Sequence, residues 1–194
     1  MSWWTKLIDI FAPEPLSSIG GFSPETRKKI EETKIAGEKM VKGYKDMLYK
    51  LDYYKPKHFI TQEFVDKNTY SIRGEDSINN IDTRMLITMD RIREYFDKPI
   101  TINNWKWGGD RSWSGLRTKD SKNFSQYSQH TFGRAIDFVM KGISAQEVRD
   151  EIKSHQDNKA FEFITRMEEF DGMQWIHIDC KNWNREDGIY VFKP

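Results

Sequence analysis

The chain has 194 residues, with 31 basic and 30 acidic side chains and a formal charge of +1, so it has no surplus of positive charge to neutralise a nucleic-acid backbone. A hydrophobic fraction of 37% and an aromatic fraction of 14% suit one packed domain with an appendage, rather than a disordered chain or two full domains. A lone cysteine, Cys180, excludes an intrachain disulfide framework and a cysteine-rich zinc site, so any metal would rest on His and carboxylate ligands.

In chain order, residues 1–22 predict an aromatic anchor (Trp3, Trp4, Leu7 to Phe11) and then a loop punctuated by Pro13, Pro15, Gly20 and Gly21. The segment lacks the basic start, unbroken apolar stretch and small-residue cleavage site of a signal peptide. No stretch approaches the roughly 18 apolar residues of a spanning helix. The expectation is therefore synthesis in the cytoplasm without a signal peptide and no transmembrane segment. Ser23 as N-cap, Pro24 at the first helical position and Glu25 in the first turn predict a helix running to about Lys50, with only a thin apolar stripe of Ile30, Val41, Tyr44 and Leu48. Residues 1–50 are accordingly expected to be a docking appendage covered by a virion or other protein partner, by a copy of itself or by the membrane surface, with folding back onto its own domain as the alternative, and residues 51–194 the main domain.

Within that domain, Ile81, Met85, Met89, Ile92 and Phe96 recur at helical spacing and predict a core helix. Ile100–Asn103 predicts a short strand, and Trp105–Arg117 a loop rich in Gly and Trp. Ser144 to Glu147 is a capping box that opens a helix through Val148 and Ile152. Gln174–Asp179 alternates as a strand, and Gly188–Phe192 predicts the last one. Helices and short strands in this order argue an α+β fold rather than a doubly wound sheet.

Two of the four histidines stand near carboxylates in suggestive patterns. His130 and Asp137 are seven residues apart: in a helix they would be separated by about 10.5 Å along the axis, and in a continuous strand they would face opposite ways. A bend at Gly133 removes both objections, so the segment reads as loop, turn and strand. In the later strand His177 and Asp179 share one face with Trp175, while Ile176, Ile178 and Cys180 share the other and should meet the core. Two imidazoles and one carboxylate are acceptable zinc ligands and leave a fourth position for water; Asp179 is better placed to fix a ligand than to be one. On the residues alone, ordinary polar-network histidines remain the alternative. His58, beside Lys57 and before the apolar Phe59-Ile60, has no matching carboxylate pattern, and His155 sits in a polar run, so both read as solvated or capping residues.

Ser128-x-His130-x-x-Gly133-x-Ala135-x-Asp137, with Trp175-Ile-His177-Ile-Asp179 downstream and Ser114-Gly-Leu-Arg117 upstream, resembles the zinc D-Ala-D-Ala carboxypeptidase family, which groups with the lysostaphin-type and hedgehog-type metallopeptidases. The similarity covers about residues 59 to 183. It implies a small mixed or antiparallel sheet with helices around a single zinc site, carried by His130, Asp137 and His177, and an N-terminal helical extension. It also implies that Arg117 binds a substrate carboxylate or supports the oxyanion and that Ser128 lines the substrate cleft. Several members of the family carry a general base, a glutamate or a histidine, three residues before the last ligand, while other branches lack an acid there; here that position is Gln174, whose amide cannot accept a proton. Nearby Glu168, Glu169 and Asp171 read as a solvated acidic turn. The resemblance implies a peptidase acting on peptidoglycan stem peptides, as a carboxypeptidase or endolysin-type endopeptidase of phage or prophage origin, working at the cell wall after lysis or within a virion. The alternative is a virion structural or binding protein that retains the fold and metal with little catalysis.

Overall fold

In the computed structural model, which describes residues 23–52, 54–182, 185 and 187–193, the alternating segments assemble into one five-stranded sheet. Strands β1 (Ile100–Thr101), β2 (Ala135–Met140), β3 (Arg166–Glu168), β4 (Ile176–Asp179) and β5 (Tyr190–Phe192) lie in the order β1-β2-β4-β3-β5. The first four pair antiparallel with their neighbours and β5 joins β3 in parallel, so the sheet is mixed. Because side chains alternate along each strand, Ile136, Phe138, Met140, Met167, Ile176 and Ile178 fall on one face, and all are buried. The register sets Asp137 opposite His177 and His177 opposite Glu168 on the other face. A hydrophobic face and a polar, chemically armed face are thus separated by the pleat alone.

The described residues form five helices: α1 (Pro24–Asp52), α2 (Thr61–Phe64), α3 (Lys67–Arg73), α4 (Thr83–Phe96) and α5 (Ala145–Ser154). In α4 the side chain of Asp82 caps the first turn by accepting from Arg84 N, and Met85, Leu86, Met89 and Ile92 are buried in the core shared with Phe138, Ile176 and Ile178. The predicted capping box opens α5: Ser144 Oγ accepts from Glu147 N, and Glu147 accepts from Ser144 N at 2.8 Å. Val148 and Ile152 then enter the same core.

Several boundaries differ from the sequence reading. The strand expected over Ile100–Asn103 stops at Thr101. Asn103 leaves the ladder because its backbone N–H donates to Glu63 O and its side-chain oxygen accepts from Ser114 N, tying three segments together. The last strand starts at Tyr190 rather than Gly188. The stretch expected to be a solvated acidic turn contains strand β3, whose Met167 is buried. Helices α2 and α3, of 4 and 7 residues, are too short to show an amphipathic period.

The chain divides into two units, Met1–Lys50 and Leu51–Pro194. In the first, α1 begins as expected, with Ser23 Oγ accepting from Thr26 N at 3.2 Å; Ile35, Met40 and Val41 are exposed along it. The Trp3, Trp4 and Leu7 to Phe11 cluster and the side chains of Tyr44 and Leu48 lie outside the described residues. No described helix is long and apolar enough to cross a membrane.

Candidate metal centre

Two adjacent strands and one turn build the site. Asp137 on β2 and His177 on β4 are register partners on the polar face, so their side chains meet without any special loop. His130 comes from the turn before β2. Ser128 Oγ accepts from His130 N at 3.3 Å, and Gly133, with φ of 66°, reverses the chain at the predicted bend. A Cβ on Gly133 would run into the carbonyl oxygen of Asn80, while Gly133 O accepts from Asp82 N at 2.9 Å. The turn is therefore pressed against the start of α4, which fixes how far His130 reaches.

The three functional atoms converge. His177 Nδ1 lies 2.7 Å from Asp137 Oδ1, His130 Nε2 lies 3.2 Å from His177 Nδ1, and His130 Nε2 lies 3.2 Å from Asp137 Oδ1. His130, Asp137 and His177 are 1%, 8% and 9% exposed, so the cluster is desolvated yet open to the surface on the Asp137 and His177 side. His130 Nδ1 sits 2.8 Å from Gly115 O. A carbonyl oxygen only accepts, so Nδ1 carries the proton and Nε2 presents a lone pair to the other two groups.

Electrostatics sharpen the picture. Burial lowers the pKa of His130 and keeps it neutral, against the pull of Asp137. Burial acts the same way on His177, but the flanking carboxylates of Asp137 and Asp179 outweigh it and raise its pKa to about 9. Burial alone would raise the carboxyl of Asp137; His130 and His177 instead hold it well below the ordinary carboxylate range. Three mutually facing atoms thus share a single proton. Replacing that proton by a cation satisfies all of them. Tetrahedral zinc with bonds of about 2.0–2.1 Å would space its ligand atoms about 3.3 Å apart, and two of the three separations already stand at 3.2 Å. The donor set therefore fits zinc: His130, Asp137 and His177 are the group among the described residues that could hold a metal ion.

The surrounding residues hold these three in place. Arg117 Nη2 donates to Asp137 Oδ2 at 2.5 Å and Arg117 Nε donates to Trp113 O at 2.9 Å. The arginine expected to face substrate is thus partly engaged with a cluster carboxylate. Its segment is stitched down by Asp137 N donating to Ser114 O at 2.7 Å and Arg117 N donating to His130 O at 3.2 Å. Asp179 stands 3.7 Å from His177 Nε2 and is fully buried; Arg166 grips it from Nε and from Nη2 at 2.6 Å, and Lys181 N donates to it at 3.0 Å. Ser128 is half-buried, with its oxygen engaged by His130 N.

Gln174 is exposed, and its amide nitrogen donates to Gly172 O at 3.0 Å. It lies outside the converging group. Sequence reasoning missed Arg166, which orients Asp179, and the carbonyl of Gly115, which sets the His130 tautomer. A backbone acceptor leaves no trace in residue identity, and Arg166 lies on the unrecognised strand. His58 and His155 lie outside the cluster; their rings meet Glu94 Oε1 at 3.2 Å and Glu151 Oε1 at 3.1 Å.

The sequence matches the family described as Peptidase M15 over residues 57–179, an interval that contains the whole cluster with Arg117 and Asp179. No curated protein and no solved structure matches the chain.

Proposed function

Because the chain belongs to the peptidase M15 family, we propose that it is a zinc-dependent peptidase acting on peptidoglycan stem peptides, with His130, Asp137 and His177 as the metal ligands. The observation that carries the reading is the convergence of two imidazole nitrogens and one carboxylate oxygen within 2.7–3.2 Å, with one proton among them. Bound there, zinc would polarise the scissile carbonyl and acidify a water molecule. The chain's own residues provide the arrangement. Gly115 O and Ser128 orient His130, Asp179 orients His177 through its grip by Arg166, and Arg117 orients Asp137.

Arg117 has a second role in this reading. Its Nη1 makes no hydrogen bond among the described residues, which leaves a donor beside the cluster for a terminal carboxylate or for the oxygen that gains charge during attack. A peptide whose cleaved bond involves D-alanine or a neighbouring residue presents such a group, and such a substrate places the work at the cell wall.

Elemental analysis of the purified protein should find about one zinc per chain, and His177→Ala should bind none. Mass analysis of digested, purified peptidoglycan should show new peptide termini that require the metal. Zinc-free protein that takes up none on reconstitution overturns the metal assignment. Zinc-loaded protein that leaves every stem peptide intact overturns the activity.

A further inference from the structure

We propose that Glu168 is the general base of this peptidase, supplying from strand β3 the acid that position 174 lacks. The proposal rests on the peptidase reading above and extends it to one residue. The register carries the argument: Glu168 is the Cα partner of His177, which is itself the partner of Asp137, so the three side chains form one row on the polar face. Directly opposed side chains on paired strands have Cβ atoms about 4.5–5.5 Å apart, and the two methylenes of a glutamate bring its carboxylate within reach of a water molecule beside the cluster.

The neighbouring acids are committed elsewhere or lie out in solvent. Glu169 is held by Lys153 Nζ at 3.0 Å and by Gln146 at 2.7 Å. Asp179 is held by Arg166 and the Lys181 N–H, and Asp137 belongs to the cluster itself. Asp171 lies exposed in the turn that follows β3. Glu168 is half-buried, and its carboxylate makes no hydrogen bond or ion pair among the described residues. Its other register partner, Phe192, has its ring 5.9 Å from the His177 ring at 90°, an apolar wall on that side of the site. Arg166 stacks on this wall at 4.7 Å but spends its charge on Asp179. A carboxylate on the site's face, unpaired and partly shielded from solvent, is what proton abstraction from water requires.

In the step assigned to Glu168, the attacking water forms a C–O bond to the scissile carbonyl carbon and gives one proton to the Glu168 carboxylate. That proton passes to the departing amide nitrogen as the C–N bond breaks, so one water is consumed and one carboxyl and one amine are released.

The test compares wild type with Glu168→Gln and Glu168→Asp. Glu168→Gln should keep wild-type zinc content, the wild-type visible spectrum after cobalt substitution and the same thermal shift on adding zinc, since Glu168 is not a ligand. Calorimetry should show it binding an intact stem peptide with wild-type affinity, while turnover falls about 100- to 10,000-fold. Glu168→Asp should recover part of the loss. Wild-type turnover in Glu168→Gln overturns the proposal and leaves the peptidase reading standing. Lost zinc or an altered cobalt spectrum in that variant overturns it in favour of a structural role. Zinc-loaded wild type that cuts no stem peptide overturns the peptidase reading and this assignment together.

Discussion

His177 concentrates the electrostatics of the cluster, because a buried imidazole is held charged by carboxylates on two sides. In metal-free protein its pKa stands at about 9, against about 6.5 in an unfolded chain. A pKa raised by folding contributes stability that is complete below 6.5 and is lost as pH rises through 9. His130, whose pKa burial lowers, works in the opposite sense, and its contribution is lost as pH falls below 6.5. The metal-free protein should therefore have its highest melting temperature near pH 6.5 and lose stability toward pH 9; His177→Ala should flatten the alkaline limb. Zinc uptake at pH 7 should expel about one proton per ion, since the metal takes the place of the shared proton, and titration in buffers of different ionisation enthalpy measures it. Arg117 belongs to the same balance. It holds Asp137 Oδ2 at 2.5 Å, so Arg117→Ala should weaken zinc roughly 10- to 100-fold in chelator competition and lower turnover as well. A purely substrate-binding arginine would leave zinc affinity untouched.

Among the elements, the turn from Ser128 to Gly133 determines whether three candidate ligands meet or only two. Gly133 combines a positive φ of 66° with contact against Asn80, so a side chain there is strained by both backbone and neighbour. Gly133→Ala should cost about 1–3 kcal/mol and reduce zinc affinity by displacing His130, read out by denaturant unfolding and metal competition. This turn was legible in the sequence because a seven-residue spacing of His and Asp suits neither a helix nor a strand, and glycine was the one residue between them that could bend the chain. His177 was legible from strand parity, with Ile176 and Ile178 marking the buried side. Strand β3 was not. It has three residues and one buried apolar side chain, Met167, between charged neighbours, so alternation had nothing to repeat over, and Arg166 and Glu168 were hidden with it. Only the register against β4 reveals that these charges stand beside the cluster.

At the scale of the molecule, the hydrophobic core and the metal-competent cluster both belong to the unit Leu51–Pro194. Among the described residues the core runs from Phe59 to Cys180 and has no member before residue 51, and the family match starts at residue 57. Every hydrogen bond described for His130, Asp137, His177, Arg117 and Asp179 is likewise made to a residue after position 51. Helix α1 has exposed Ile35, Met40 and Val41 along a surface of Lys and Glu, and a single amphipathic helix draws most of its stability from a packing partner. Deleting residues 1–50 should therefore leave a chain that unfolds in one cooperative transition, binds one zinc and keeps the turnover of the full chain on soluble stem peptides. If residues 1–50 are a docking appendage, what changes is assembly: sedimentation or light scattering of the full chain, alone or with its partner, should show an association that the truncated chain lacks. Loss of the cooperative transition or of zinc on truncation would instead make residues 1–50 part of the fold that supports the site.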